Sequence, residues 1–145
     1  MLRRLEIMTK MSRGLRNCNP GNIRRSKVHY LGEVRPSQDS DFKQFESMAY
    51  GYRAMFVLLD SYRRRYALNT LRQMLNRYAP PSENFTEGYI RFVSQKTGIL
   101  PDEELNTRSE RDMVPIISAM SEIENGVSAD RSMVLEGWRM FVNKN

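Results

Sequence analysis

Cysteine and histidine are nearly missing from this chain, which has one of each, Cys18 and His29. A lone thiol excludes an intrachain disulfide, and one Cys with one His cannot complete a Cys/His zinc site. Neither a metal nor a cofactor is expected. A Cys18 nucleophile would have only His29 as a base, and no G-x-x-x-x-G-K-[ST] loop is present to cradle a nucleotide phosphate. No apolar run approaches the ~20 residues of a membrane span. The opening "MLRRLEIMTKM" spreads its charges where a secretory signal needs an apolar core and a small-residue cleavage site. There is no internal repeat and no low-complexity tract.

What remains suits one domain with a real core: 145 residues, 40% hydrophobic, with a formal net charge of +6. Residues 1–12 read as a basic, flexible leader and 13–145 as the domain. The positive balance favours anionic surroundings, whether nucleic acid, lipid headgroups or the anionic groups of a bacterial wall.

The apolar pattern is mainly helical. Met48, Tyr52, Met55, Phe56, Leu59 and Tyr66 recur on one face of a long helix from about Ser47 to Arg65, with Arg53, Arg63, Arg64 and Arg65 on its polar back. A shorter helix from Thr70 to Arg77 stops before "YAPPSEN", where two prolines supply no backbone donors. Asn84 and Glu87 have capping-box spacing for a helix through Tyr89, Ile90 and Val93 that ends at Gly98. Asp112 is the expected cap of a helix with Pro115 in its first turn and Ile116, Ile117, Met120 and Ile123 inside. Ser128 would start a last helix through Met133, Leu135, Trp138 and Phe141. "KVHYLGEV" and "DFKQF" read as two short strands. The expected fold is mainly α with a small β-ribbon.

The segment "RNCNPGNI" at 16–23 combines three asparagines with Pro20 and Gly21. Asn imitates backbone turns and tolerates left-handed geometry, Pro fixes its own φ, and Gly reaches positive φ freely. The stretch is an ordered turn. Either it only reverses the chain, or Asn17, Asn19 and Asn22 aim amides at a polar ligand.

Four motifs in order, "RGLRNCNPGNIR", "LGEVRPSQDSDFKQFESMAYGYRA", "RYAPPSENFTEGY" and "AMSEIENG", resemble a family of short phage and prophage structural or lysis proteins of gut Bacteroidetes. The resemblance runs from Arg13 to about Gly137, with Cys18 standing where an asparagine is expected. It implies phage origin. The same order is distantly similar to glucosaminidase domains of the lysozyme-like superfamily, where an N-x-F-G-I-K turn precedes an F-x-x-Y-x-S helix start and a Y-A-T-D-P-x-Y segment. In that superfamily a catalytic glutamate, usually in E-S-G, ends a helix just before the turn. Only the basic leader precedes the turn here. Glu124-Asn125-Gly126 ends an apolar helix in the same manner, and would supply the missing group in a circularly permuted lysozyme-like domain. The plainer reading makes Glu122 and Glu124 solvent-facing residues and "NG" a helix C-cap.

Glycoside cleavage uses a protonated carboxyl on the leaving oxygen and commonly a second carboxylate for water or the oxocarbenium ion. Under the resemblance Glu124 is the candidate acid and Glu33, in the ribbon, its partner, with Asp39 and Asp41 in reserve. Candidate substrate-binding residues are Asn17, Asn19, Asn22, Tyr78, Asn84 and Tyr89, although tyrosines at helical spacing are more often core residues than ligand platforms. Three function classes follow. The first is a phage-derived lysin acting on peptidoglycan or another anionic wall polymer. The second is a non-enzymatic virion component or wall-binding module in contact with other phage proteins. The third, suggested by Arg24-Arg25 and Arg63-Arg64-Arg65, is a nucleic-acid binder, disfavoured because no nucleic-acid motif accompanies the scattered charge. Without a signal peptide, the expected location is the bacterial cytoplasm until phage lysis or virion assembly.

Overall fold

The computed structural model describes residues 11–143; most of the basic leader, residues 1–10, lies outside them. Ser12, assigned above to the leader, belongs to the fold: its hydroxyl accepts from the Leu15 N–H and caps α1 (Arg13–Arg16). A two-stranded antiparallel ribbon follows, β1 (Glu33–Val34) on β2 (Gln44–Phe45), with Glu33 opposite Phe45. Then come α2 (Met48–Tyr66), α3 (Leu71–Tyr78), α4 (Thr86–Thr97), α5 (Glu110–Asn125) and α6 (Arg131–Asn143). The architecture is mainly α with a small ribbon. None of the described helices is long and apolar enough to cross a membrane.

Helix α2 is the central element. Ser47 caps it through the Tyr50 N–H, and Ala67 ends it in the left-handed region. Tyr52, Met55, Phe56 and Leu59 are all but fully buried, as are Ile90, Val93, Ile117 and Met120 from α4 and α5. Gly137 lets α6 lie directly on α2, since a Cβ there would stand 2.8 Å from the Arg53 nitrogen. Phe56 meets Trp138 edge-on, at 5.0 Å between ring centres, and Phe141 closes the cluster. A buried hydrogen bond of 2.8 Å joins Tyr52 to Ser121 and so α2 to α5. Leu59→Ala is expected to cost about 2–5 kcal/mol in urea denaturation through lost transfer energy and a residual cavity; a loss under about half a kcal/mol would show that Leu59 is not in the core.

Several sequence expectations need correction. Arg53 is not on a solvated back but buried under α6, whereas Arg63, Arg64 and Arg65 are exposed. Tyr66 is half exposed at the helix end, beneath the Arg77 guanidinium. Asn84 caps nothing: Phe85 occupies the cap position of α4 without a side-chain bond, Asn84 donates to the Pro80 carbonyl, and Glu87 pairs with Arg72. In α5 the cap is Ser109, accepting from the Asp112 N–H, which moves Pro115 into the helix interior. The exposed Arg111 there loses its usual carbonyl partner. Helix α6 starts after Asp130, whose carboxylate accepts from the Ser132 and Met133 N–H groups, and it buries Val134 rather than Met133. The ribbon is much shorter than "KVHYLGEV" suggested. The carbonyls of Ser26 and Val28 are taken by Lys43 Nζ and the Arg35 guanidinium instead of a partner strand.

Candidate functional site

The Asn-rich turn leaves α1 through Cys18 and Asn22, both at positive φ. Asn19 is its internal fastener. Fully buried, it donates to the carbonyls of Ile23 and Lys43 and accepts from the Ile23 N–H, each at 2.9 Å. Asn17 donates to Asp39 at 3.0 Å. These two asparagines therefore hold the turn and the loop before β2 together, and do not serve as ligand-facing amides. Asp39 and Asp41, the reserve carboxylates, are occupied by Arg13 at 2.6 and 2.9 Å. The Arg13 hydrogen bond holds Asp39 well below the usual carboxylate range.

Asn22 points the other way. Its amide donates to Glu124 Oε1 at 2.8 Å, and the Tyr89 hydroxyl donates to Glu124 Oε2 at 3.0 Å. Glu124 and Asn125 are the last residues of α5, and both are used. Asn125 donates to the Pro20 carbonyl at 2.8 Å and accepts from the Ser12 hydroxyl at 2.6 Å, locking the helix end onto the turn. The approach needs Gly14, where a Cβ would stand 2.6 Å from Asn125 Oδ1 and 2.9 Å from Asn22 Oδ1. Burial raises the Glu124 pKa, and the hydrogen bonds from Asn22 and Tyr89 only partly oppose it. Burial, then the nearby Glu124 charge, push Tyr89 well above the usual tyrosine range. Glu122, by contrast, pairs with Lys96 at 3.3 Å.

Glu124 opens on a cavity of about 430 Å³ lined also by Asn22, Tyr30, Tyr78, Glu83 and Asn84. The ring of Tyr78 forms part of its wall while the hydroxyl donates to the Gly21 carbonyl. Tyr89 does not line it; buried, it supports the carboxylate from the protein side. Of the residues proposed from sequence, Asn22, Tyr78, Asn84 and Glu124 meet at this cavity. The arrangement sets a carboxyl whose pKa is raised by burial beside a polar cleft partly walled by tyrosine, a setting that suits a general acid.

Glu33 is not part of it. It lines a different cavity, with only 4% of its side chain exposed, and takes hydrogen bonds from Arg35 at 2.9 Å, Lys43 at 3.1 Å and the Tyr30 N–H at 3.1 Å. Burial works to raise its pKa, but the bonds from Arg35, Tyr30 and Lys43 prevail and leave it below the ordinary value. The side chain of Lys43 is 1% exposed, so Glu33 serves as its buried counter-ion and lacks the freedom of an assisting carboxylate. The second carboxylate at the cavity is Glu83, exposed and paired with Arg24 at 3.3 Å. Sequence reasoning missed both Glu83 and the anchoring role of Asn125. Glu83 sits in the "YAPPSEN" segment, where the two prolines mark a helix end and nothing local marks a carboxylate for the site. Among the described residues no group of three or more His, Cys, Asp or Glu side chains is arranged to hold a metal ion.

No family model matches the sequence. Over 122 residues the chain is 37% identical to protein P5 of Pseudoalteromonas phage PM2, an alignment that takes in 82% of this chain and 74% of that protein.

Proposed function

This chain belongs to the family of protein P5 of Pseudoalteromonas phage PM2, and from the geometry of its own site we propose that it is a phage lysin that cuts the glycan strands of peptidoglycan, with Glu124 as general acid. The observation that carries the reading is the state of Glu124: a carboxyl with a raised pKa, held by Asn22 and Tyr89, at the edge of a cleft large enough for sugar rings. In the reaction Glu124 passes its proton to the glycosidic oxygen as the bond to the anomeric carbon breaks. Water adds to that carbon and gives up a proton in turn. Glu83 is the candidate to receive it or to steady the oxocarbenium charge once Arg24 lets go. The partly exposed ring of Tyr78 is an apolar platform for a sugar face. The contact of the α5 end with the Asn-rich turn also supports a permuted lysozyme-like arrangement, the relation under which Glu124 was first singled out.

The test is incubation of purified peptidoglycan with the full chain. Soluble fragments bearing new reducing ends are the expected result. New free amines without reducing ends, or no release at all, would overturn glycan cleavage.

A non-enzymatic phage component is the second reading, favoured by the engagement of Glu33 and of Glu83 in ion pairs. It predicts wall or virion binding without fragment release. Nucleic-acid binding would instead appear as a salt-dependent DNA shift lost on neutralising Arg63, Arg64 and Arg65.

A further inference from the structure

The cleft that holds Glu124 shares a wall with the cavity around Glu33. Arg25 and Ser26 line both. The second cavity has a volume of about 420 Å³ and is completed by Arg35, Pro36, Ser37 and Lys43. Its one lining carboxylate, Glu33, is already held by Lys43 and Arg35. Arg25 makes a different use of its charge. Its guanidinium reaches only the carbonyls of Asp39 and Ser40, at 3.2 and 3.4 Å, and among the described residues no carboxylate lies within ion-pair distance of it. Three cations thus stand against one anion on a concave surface, where low-dielectric walls focus the positive potential. A planar guanidinium with free N–H groups is well matched to a carboxylate.

We infer that this second cavity is a subsite for a carboxylate-bearing side branch of the polymer whose backbone lies in the Glu124 cleft, with Arg25 engaging the carboxylate. The inference rests on the cleft's being a glycan site. An N-acetylated sugar backbone carries no charge of its own, so it offers no counter-ion to an arginine that has no carboxylate partner among the described residues. The peptide branches of a bacterial wall end in carboxylates, and a branch leaving the cleft past Ser26 would enter a cavity with a positive excess.

Binding is measured by calorimetry on the full chain carrying Glu124→Gln, so that no turnover intervenes. Three wall oligosaccharides are compared: one with branches removed, one with intact branches, and one with its branch carboxylates amidated. The intact form is expected to bind about tenfold more tightly than the other two, in line with one charge-assisted contact. Adding Arg25→Gln should reduce it to their level and leave theirs unchanged. Equal binding of all three, or a preference that survives Arg25→Gln, would overturn the subsite while leaving the glycan site standing. Failure of all three to bind would overturn both.

Discussion

Glu124→Gln is expected to lower fragment release from peptidoglycan by a factor on the order of 10²–10⁴, the usual contribution of a general acid, without weakening the fold. The exchange keeps the shape of the side chain and a carbonyl to accept from Asn22, removes the acidic proton, and turns an NH2 toward Tyr89, whose hydroxyl then accepts instead of donating. Stability separates this from a structural defect. Burial raises the folded-state pKa of Glu124 above its unfolded value, so the protonated form favours the fold. That contribution is fully present below the unfolded pKa and is lost as pH rises through the folded one. Unmodified protein should therefore lose melting temperature over that window. The glutamine variant should lose less and equal or exceed it at neutral pH. Activity should fall over the same rise in pH, because the acid must hold its proton. A variant that releases fragments at the unmodified rate, or one that unfolds at neutral pH, would remove Glu124 from the acid role.

Asn19→Ala should be among the most damaging single changes to stability, at about 2–5 kcal/mol. The side chain is fully buried and serves backbone groups on both sides of the turn. Its loss leaves the Ile23 N–H and the Lys43 carbonyl without this partner, at about 1–3 kcal/mol for each buried group left unsatisfied. Against a typical domain stability of about 5–15 kcal/mol, that is a large fraction. The damage should also reach the site, because Asn22 keeps its left-handed conformation and its aim at Glu124 only while the turn is fastened. A urea midpoint within error of the unmodified protein would show that water or another group replaces Asn19 at no cost.

The helices were legible in the sequence because burial imposes a period on them. The spacing of Phe56 and Leu59, and of Ile117 and Met120, survives in the core. Helix starts were harder to read because polar residues compete. Ser109 and Asp112 both suit a cap, and the choice between them is made by the Asn106 N–H, which takes the Asp112 carboxylate. Lys43 misled more seriously: nothing local says that a lysine will be buried, yet its burial shortens the ribbon and captures Glu33. In the site, local chemistry identified the turn but could not rank its asparagines, since Asn17, Asn19 and Asn22 differ only in what lies beyond them. Glu124 was suggested by resemblance and not by its own neighbourhood, where "ENG" is an ordinary helix ending.

The bond between Asn22 and Glu124 closes a span of 102 residues, and the Ser12–Asn125 bond a span of 113. At a synthesis rate of about 5–20 residues per second, the Asn-rich turn leaves the ribosome some ~5–20 seconds before the helix end that completes the cleft. A chain that stops before the end of α5 thus lacks both contacts that join Glu124 and Asn125 to the N-terminal turn. The two bonds can form only once residues 124 and 125 have been made and the end of α5 has docked on the turn.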